Sequence, residues 1–491
     1  MNQDTISPRD AQWREELRKA HTPKQRREIP RVKMPELDPA YRVGCNEEVN
    51  RGLSAEQAVL EATRCLDCPD PACVGGCPVG INIPGFVKNI ERGDFPAAAL
   101  TLRETSALPA VCGRVCPQER QCESKCIYNK MKQPPVAIGY LERFAADTAN
   151  EAAAAGKAPQ APAAAPNGRK VAVVGSGPAA LSFAGDMARR GYAVEVFEAL
   201  HEIGGVLKYG IPEFRLPNSV VDIEIDALRA AGVKFTANCV VGKTLGYDDL
   251  LAQGFDGVFV ASGAGLPRFM GIPGENAIGV MSSNEYLTRI NLMGAGKPGW
   301  ATPVIKGKRV AVIGAGNTAM DSCRTARRMG AEEVYIVYRR SEEEMPARVE
   351  EVRHAKEEGV TFLTLHNPVE YLTDDKGRVR AMRLQRMELG EPDASGRRSP
   401  VPVEGDIVEM EVDEVIVSVG VSPNPLIPDS IDGLEVTRRG TLVVDETTLE
   451  TTLPLLFAGG DIVRGGATVI LAMGDGRRAA AAMDEKLSQK Q

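Results

Sequence analysis

Two similar stretches, KVAVVGSGPAALSFAGDMARRGYAVEVFE (170–198) and KRVAVIGAGNTAMDSCRTARRMGAEEVYIVYRR (308–340), determine the fold class of this chain. Each begins with a β-branched run, passes through a glycine-rich turn into a helical pattern, and ends in a second β-branched run, which predicts a βαβ unit. The two units start about 140 residues apart. This spacing predicts an α/β fold with two nucleotide-binding domains, one inserted into the other.

The first glycine-rich turn has the spacing of a dinucleotide-binding fingerprint. Gly175 permits a tight turn, Gly177 lets the backbone approach a pyrophosphate, and the small Ala180 allows the helix to pack on the strand. Glu198 ends the next strand, where an acidic side chain can bind ribose hydroxyls. The apolar, glycine- and proline-rich segment GGVLKYGIPEFRLP (204–217) is interpreted as backbone wrapped around a flat ligand, with a buried irregular loop as the alternative.

The second fingerprint differs from the first at the end of its second strand. Arg339 and Arg340 stand where an acid would favour NAD, and guanidinium groups can bind a 2'-phosphate with paired hydrogen bonds. NADP(H) is therefore predicted, although two arginines that merely solvate a strand end are an alternative. The residues predicted to contact this dinucleotide are Gly314, Gly316, Asn317, Thr318, Arg339 and Arg340.

The C-terminal stretch LPLLFAGGDIVRGGATVILAMGDGRRAA (453–480) has the pattern of a strand, a turn and a helix. Asp461 in the turn can accept a ribityl hydroxyl, and the helix predicted from near Ala467 would direct N–H groups and a positive dipole at a flavin ring. The sequence on both sides of the second unit is therefore predicted to form one flavin domain. A purely structural turn is the alternative.

Nine cysteines precede the first fingerprint, and eight of them lie in CLDCPDPACVGGCP (65–78) and CGRVCPQERQCESKC (112–126). Thiolates at such short spacing can surround a soft metal centre, and a Cys-Pro at the end of a run is typical of ferredoxin-type clusters. Structural zinc and disulfides are the alternatives, and disulfides are disfavoured in a reducing compartment. Cys239 and Cys323 lie apart from these runs and are predicted to be buried apolar residues.

A helix capping motif predicts where two of these cysteines lie. SAEQ (54–57) predicts a capping box and a helix whose last turn carries Cys65 and Cys68. A second helix is predicted between residues 82 and 93. The stretch EAAAAGKAPQAPAAAPN (151–167) has no periodicity and is predicted to be a linker.

The composition excludes several classes of function. The chain has 491 residues, 43% of them hydrophobic, and a net charge of −7, so it offers no basic surface for nucleic acid. No apolar run approaches the roughly 20 residues that span a bilayer, and the N-terminus is polar, so a cytoplasmic protein is expected. None of the four histidines lies in a fingerprint, and no catalytic acid or base is predicted.

From Pro35 to the C-terminus the chain resembles the NADPH-dependent small (beta) subunit of bacterial glutamate synthase. Similar proteins are the flavin subunit of NADH-dependent ferredoxin:NADP oxidoreductases and the N-terminal half of dihydropyrimidine dehydrogenase. The motifs that carry the resemblance are RCLDC, CGRVCPQERQCE, GSGPAAL, GGVLKYGIPEFRLP, GAGNTAMD, VYRRSEEEMP and AGGDIVRG. The resemblance implies an α-helical domain with two [4Fe-4S] clusters, followed by adrenodoxin-reductase-like FAD and NADP domains.

The resemblance and the patterns above together give domain boundaries and flavin contacts. The expected units are an iron–sulfur domain at 1–150, a linker at 151–168, an FAD domain at 169–300 and 413–491, and an NADP domain at 301–412. The expected FAD contacts are Gly175, Gly177, Ala180, Glu198, Gly205, Leu207, Arg215, Gly460, Asp461, Ala467 and Thr468.

The resemblance also implies the ligands of the two clusters. One cluster is expected on the first cysteine group, which comprises Cys65, Cys68, Cys73 and Cys126. The other is expected on the second cysteine group, which comprises Cys77, Cys116 and Cys122 together with Glu142. In this family Cys112 is not expected to be a ligand, and an oxygen donor 16 residues after the last cysteine takes its place.

The implied function is an oxidoreductase subunit that passes electrons between NADPH, FAD and iron–sulfur clusters. The small subunit of glutamate synthase is favoured, in which a large amidotransferase and FMN subunit makes glutamate from glutamine and 2-oxoglutarate. The first alternative is the flavin subunit of an electron-bifurcating NADH-dependent ferredoxin:NADP oxidoreductase, which is paired with a small flavin/[2Fe-2S] subunit. The stretch AGLPRFMGIPGE (264–275) resembles that flavin subunit. A non-catalytic assembly module is the second alternative.

Overall fold

The computed structural model describes residues 7–156, 164–394 and 396–489. Its N-terminal part consists of short helices joined by irregular segments. These helices are α1 Gln12–Ala20, α2 Pro23–Glu28, α3 Pro39–Arg42, α4 Ala55–Thr63, α5 Ala72–Gly75, α6 Ile83–Glu91, α7 Phe95–Arg103, α8 Pro109–Val115, α9 Ile127–Lys130 and α10 Ile138–Ala154.

Helix α4 begins as predicted but ends earlier than predicted. Ser54 Oγ accepts from Gln57 N at 3.2 Å and Gln57 Oε1 accepts from Ser54 N at 2.9 Å, so the capping box is confirmed. The prediction that its last turn carries Cys65 and Cys68 is wrong, because the helix ends at Thr63. Asp67 has a φ of +52°, which no helix accommodates, and the cysteines therefore lie in the loop that follows.

The other two local predictions agree with the structure to different extents. Helix α6 begins after Asn82, whose side chain accepts from Gly85 N at 3.0 Å, so the second helix is confirmed. Helix α10 continues to Ala154, into the stretch predicted to be a linker, because its run of alanines has high helix propensity. Residues 157–163 of that stretch lie outside the described residues.

The remainder of the chain alternates strands and helices. The strands are β1 Lys170–Val174, β2 Ala193–Phe197, β3 Lys234–Thr236, β4 Gly257–Val260, β5 Leu266–Pro267, β6 Val280–Ser282, β7 Arg309–Ile313, β8 Glu333–Tyr338, β9 Thr361–Thr364, β10 His366–Thr373, β11 Val379–Pro392, β12 Arg398–Glu411, β13 Glu414–Val417, β14 Val421–Ser422 and β15 Leu456–Ala458. The helices are α11 Pro178–Arg189, α12 Val206–Tyr209, α13 Asn218–Ala230, α14 Tyr247–Ala252, α15 Ser283–Leu287, α16 Asn317–Arg328, α17 Val349–Glu357, α18 Leu426–Asp429, α19 Asp461–Arg464 and α20 Val469–Ser488.

Two parallel five-stranded sheets confirm the predicted pair of βαβ units. The first has the order β15-β4-β1-β2-β3 and the second has the order β6-β13-β7-β8-β9. Both sheets are covered by helices, which explains their nearly continuous apolar runs. Strand β15 pairs with β4, so the C-terminal stretch completes the first sheet.

The second sheet extends beyond the interval 301–412 that the sequence suggested for its domain. Strand β6 comes before this interval, and β13 comes after it and pairs with β7 through Val415 and Ala311. Sheet membership therefore extends this unit from about residue 280 to residue 417. Strands β10, β11 and β12 form a separate antiparallel sheet, in which β11 and β12 make a long hairpin.

The helical domain and the first sheet share one hydrophobic core. Phe86 and Leu141 of the helical domain belong to the same buried cluster as Val173 of β1 and Met473 of α20. Helix α20 packs closely on α11, because a Cβ on Gly476 would lie 2.2 Å from Ala179 O. The helical domain and the part built on the first sheet are thus one packed body. Among the described residues, no helix combines the length and apolarity needed to cross a membrane.

Candidate functional site

One cleft of about 1430 Å³ lies between the two parallel sheets. It is larger than the roughly 300–1,000 Å³ of a typical small-molecule site, so it has room for more than one cofactor. The predicted contacts that line it are Gly175, Gly177, Glu198, Gly205, Arg215, Gly316, Asn317, Thr318, Gly460, Asp461, Ala467 and Thr468. The predicted contacts outside its lining are Ala180, Leu207, Gly314, Arg339 and Arg340.

The first glycine of each fingerprint is required by the backbone. Gly175 has a φ of +95° and Gly314 has a φ of +124°, and a Cβ on either would lie 2.5 Å or less from a backbone oxygen of a neighbouring strand end. The second glycine of the first fingerprint faces open space. No described atom lies within 4 Å of a Cβ built on Gly177. Such a cradle in front of a helix N-terminus fits a pyrophosphate.

Glu198 organises the first fingerprint from within. Its Oε2 accepts from Ser176 N at 2.9 Å and from Ser176 Oγ at 2.6 Å. Ser176 Oγ in turn accepts from Gly204 N at 2.9 Å, which connects the fingerprint to the 204–217 segment. Ser176 was not predicted as a functional residue, because a serine between two glycines has no signal of its own. The binding of a ribose by Glu198 stays a prediction.

The C-terminal turn is built by one buried carboxylate. Asp475 is buried and accepts from Gly460 N at 3.0 Å and from Arg464 Nε at 2.7 Å. Asp461 follows this turn and accepts from Ala467 N at 2.9 Å. Burial raises the pKa of Asp461. The 20 residues of α20 begin after Thr468 at the cleft wall, so this helix presents its positive end to the cleft.

Arg215 lies at the junction of the two nucleotide-binding units. Its Nη1 donates to Asp321 Oδ2 of α16 at 2.8 Å, and its Nε lies 3.5 Å from Glu351 Oε1. Burial raises the pKa of Asp321 to about 7, although the Arg215 guanidinium opposes the shift. Arg215 thus fastens the 204–217 segment to the second fingerprint helix. Its contact with FAD stays a prediction.

The eight clustered cysteines separate into two groups, and all eleven cysteines of the chain are free thiols. Burial raises the pKa of Cys73, and Cys65, Cys126 and Cys68 add to the shift because their thiols are close to it. The structure therefore brings together the first cysteine group. The disulfide alternative has no support in this arrangement.

The second cysteine group is assembled around a carboxylate. Burial raises the pKa of Cys77 to about 11, and Glu142 and Cys116 add to the shift. Burial also raises the pKa of Cys122, with Glu142, Cys77 and Cys116 among its charged neighbours. The three cysteines expected to share a cluster are thus neighbours of one another and of Glu142.

Glu142 has the environment of a ligand rather than of a surface charge. It lies on α10 with 5% of its surface exposed, and burial alone raises its pKa to about 8. Its Oε1 meets no hydrogen-bond donor within the described part of the chain. Buried carboxylate oxygens are rarely left unpaired, so this one fits an oxygen ligand to a metal cluster. Its identity as a ligand stays a prediction.

Cys112 is close to the second cysteine group but is packed as a core residue. Its side chain is fully buried, and its Sγ lies 3.4 Å from Met473 Sδ of α20. A hydrogen bond with Cys116 is the largest cause of its raised pKa, followed by burial. Cys112 therefore lies between Cys116 and the flavin-domain helix.

The second cysteine group lies beside the cleft. Val115 and Pro117, on either side of Cys116, both line the cleft wall. On the other side of the group, a Cβ on Gly474 of α20 would lie 3.1 Å from Pro78 O, directly after Cys77. This proximity was not predictable from the sequence, because it depends on how the helical domain packs on α20.

A second cluster contains residue types that commonly bind metal ions, but its carboxylates are paired with arginines. Ligand atoms of Glu36, Glu350 and His354 lie within 4.8 Å of one another. However, Arg353 donates to both oxygens of Glu36, at 2.5 and 2.9 Å, and Arg348 lies 3.2 Å from Glu350. We interpret this cluster as an ion-pair junction that fastens the N-terminal segment to the second sheet.

Comparison with known families assigns both parts of the chain. Residues 42–154 match the family described as dihydropyrimidine dehydrogenase domain II, 4Fe-4S cluster. Residues 169–476 match the pyridine nucleotide-disulphide oxidoreductase family. The first match covers both cysteine groups and Glu142, and the second covers both fingerprints.

Individual relatives extend over most of the chain. It is 40% identical to the NADP(+)-dependent formate dehydrogenase subunit beta of Moorella thermoacetica, over 85% of this chain and 60% of that protein. It is 38% identical to the glutamate synthase [NADPH] small chain of Escherichia coli, over 88% of this chain and 92% of that one. Mycobacterium tuberculosis FprA in complex with NADPH matches 65% of this chain and 85% of its own length, with a TM-score of 0.55 and 21% identity, which shows the fold alone.

Proposed function

The chain belongs to the family of glutamate synthase small chains, which are NADPH-dependent iron–sulfur flavoprotein oxidoreductases, and from this membership we propose that it is the electron-input subunit of a larger enzyme. In this proposal it oxidises NADPH and delivers the electrons to a partner subunit. The observation that carries the proposal is the position of Cys116. Its neighbours Val115 and Pro117 line the same cleft as both fingerprints.

The arrangement of the described residues supports a site for each cofactor. Gly177 leaves room for a pyrophosphate, Asp461 and the start of α20 face the cleft, and Arg339 lies at the end of β8 for a 2'-phosphate. The bound flavin supplies exchange between two-electron and one-electron transfer, and the bound clusters supply one-electron carriage. The described cleft wall contains no histidine. In this proposal the residues of the chain act by binding and orienting the cofactors and excluding water.

For the partner, we propose the large amidotransferase and FMN subunit of glutamate synthase. The E. coli glutamate synthase small chain is matched over 92% of its length, whereas 60% of the formate dehydrogenase subunit is matched. In this assembly the large subunit would form glutamate from glutamine and 2-oxoglutarate.

Reduction of the flavin is the direct test of the input role. We expect the isolated, cofactor-loaded chain to be bleached by NADPH in an anaerobic absorbance titration and to reduce an artificial acceptor. Simultaneous replacement of Arg339 and Arg340 by Ala should weaken NADPH binding far more than NADH binding. A flavin that NADPH does not bleach contradicts the input role, and equal loss of both nucleotides contradicts the NADP site.

Co-purification tests the identity of the partner separately. A tagged chain isolated from its native cell should retain a large subunit, and the complex should convert glutamine and 2-oxoglutarate to glutamate with NADPH. Retention of a small flavin/[2Fe-2S] subunit, with reduction of both NAD and ferredoxin, would instead support the electron-bifurcating alternative.

A further inference from the structure

The tip of the β11–β12 hairpin is bonded to the end of β8, where the second fingerprint is expected to recognise its nucleotide. The tip is closed by hydrogen bonds from Asp393 N to Arg397 O at 2.7 Å and from Gly396 N to Asp393 O at 2.8 Å. Arg340 Nη2 donates to Asp393 Oδ2 at 2.6 Å, and Arg340 Nε donates to Arg398 O at 2.7 Å. The hairpin tip thus holds one of the two arginines predicted to bind a 2'-phosphate.

The two adjacent arginines have opposite environments. Arg340 is 5% exposed and its guanidinium is held by the hairpin tip. Arg339 is exposed, and no hydrogen bond or ion pair of its side chain is found among the described residues. Arg339 is therefore available to an incoming anion, whereas Arg340 already has an anionic partner.

Asp393 offers Arg340 the same kind of bond that a phosphate would offer. Both are oxygen anions that accept charge-assisted hydrogen bonds from a guanidinium, but a phosphate monoester carries more negative charge and more acceptor oxygens. The Asp393 side chain is 31% exposed, so it can turn toward solvent when it is displaced. The carboxylate therefore bonds Arg340 in the way that the predicted 2'-phosphate would.

We propose that Asp393 is a specificity-determining residue that competes with the 2'-phosphate for Arg340. The proposal rests on the NADP site of the proposed function. NADPH displaces Asp393 and releases the hairpin tip, whereas NADH has no 2'-phosphate and leaves the Arg340–Asp393 pair in place. The carboxylate thereby weakens NADPH binding, and the hairpin position reports which nucleotide is bound.

The direction in which one substitution changes NADPH affinity distinguishes this proposal from a supporting role for Asp393. If Asp393 competes with the phosphate, Asp393→Asn removes the competing charge and NADPH binds about threefold to tenfold more tightly. If Asp393 merely orients Arg340 toward the phosphate, the same substitution weakens NADPH binding. NADH binding changes little in the first case, because NADH does not need Arg340.

The experiment measures dissociation constants of NADPH, NADH and adenosine 2',5'-bisphosphate for the full-length, cofactor-loaded chain by calorimetry. Asp393→Asn is compared with Glu391→Gln, which removes an equal charge from an exposed position near the end of β11. We expect Asp393→Asn to tighten the binding of NADPH and the bisphosphate, and Glu391→Gln to leave both unchanged. Unchanged or weaker NADPH binding by Asp393→Asn, or an equal gain with Glu391→Gln, overturns the proposal.

A double substitution tests whether the effect of Asp393→Asn on NADPH affinity acts through Arg340 rather than through the stability of the hairpin turn. In a chain that already carries Arg340→Ala, Asp393→Asn should no longer change NADPH affinity, since the residue for which it competes is absent. A persistent gain there would mean that Asp393 acts on the nucleotide by another route, and it overturns the competition. If the Arg339→Ala, Arg340→Ala chain loses NADPH and NADH equally, the NADP site itself fails, which is a different result from a silent Asp393→Asn.

Discussion

The two cysteine groups both contain clustered thiols but have different electrostatic surroundings. In the first group, Lys88 is fully buried and its Nζ donates to Cys65 O at 2.6 Å. Burial raises the pKa of Cys65 to about 11, and the Lys88 ammonium opposes this shift. In the second group, Glu142 adds to the rise in thiol pKa that burial causes. A buried ammonium therefore lies beside the first group, and a carboxylate is expected among the ligands of the second.

This difference indicates how one small domain can provide two unlike redox sites. Cluster potentials depend on ligand identity and on nearby charge. A buried ammonium favours the reduced, more negative state of a cluster, because it stabilises the added negative charge. We therefore expect the first cysteine group to hold the cluster of higher potential. The group beside the cleft is expected to hold the cluster of lower potential.

The largest effect should come from removing a ligand of only one group. Cys73→Ala should lower the iron content from roughly eight to roughly four atoms per chain, because one cluster loses a thiolate. Cys112→Ala is the matched control and should retain roughly eight, since Cys112 is packed against Met473 rather than assigned as a ligand. Iron quantification checks both chains. Loss of half the iron in the Cys112→Ala chain would show that the assignment of ligands is wrong.

Substitution of Glu142 should affect the second group alone. Glu142→Ala removes the proposed oxygen ligand and should abolish or alter the electron paramagnetic resonance signal of one cluster while leaving the other signal unchanged. Glu142→Cys should retain the iron and make the two signals more alike, because both groups then contain four thiolates. An unchanged pair of signals in the Glu142→Ala chain would mean that Glu142 is not a ligand.

A smaller effect is expected from the cation of the first group. Lys88→Met should lower the potential of the first cluster by roughly tens of millivolts, because a buried charge acts in a medium of low dielectric constant. Glu91 would remain paired with Arg26, at 2.8 Å. Lys130→Met removes a charge at an exposed position and should leave both potentials unchanged. Redox titration followed by spectroscopy measures the shift, and an equal shift of both clusters would contradict a local effect.

The smallest effect is expected from the helix that precedes Cys65. Ser54→Ala removes the capping box of α4 and should lower the free energy of unfolding by about 1 kcal/mol without loss of iron. Ser54→Asp retains a capping oxygen and should behave like the unsubstituted chain. Denaturant titration measures both. A loss of iron in the Ser54→Ala chain would show that the cap also positions Cys65.

Sequence signals were sufficient to predict the elements that depend on neighbouring residues, but not those that depend on distant ones. Both βαβ units, the capping box before Gln57 and the helix after Asn82 were predictable, because each depends on residues close together in the sequence. The end of α4 was not, because the backbone of Asp67 depends on a distant partner. Arg14 donates to Asp67 Oδ1 at 2.5 Å across 53 residues. The extent of the second sheet was missed for the same reason, since β13 joins it through long-range pairing.

By itself, the sequence determined the types of site: two glycine-rich turns for dinucleotides and eight clustered cysteines for metal. These follow from residue chemistry and short spacing. Only the tertiary structure decided that Glu142 is buried among Cys77, Cys116 and Cys122, that Cys116 lies beside the cleft, and that Asp393 already occupies Arg340. Each of these arrangements joins residues from different elements, and their proximity arises only when helices and sheets pack around a common core.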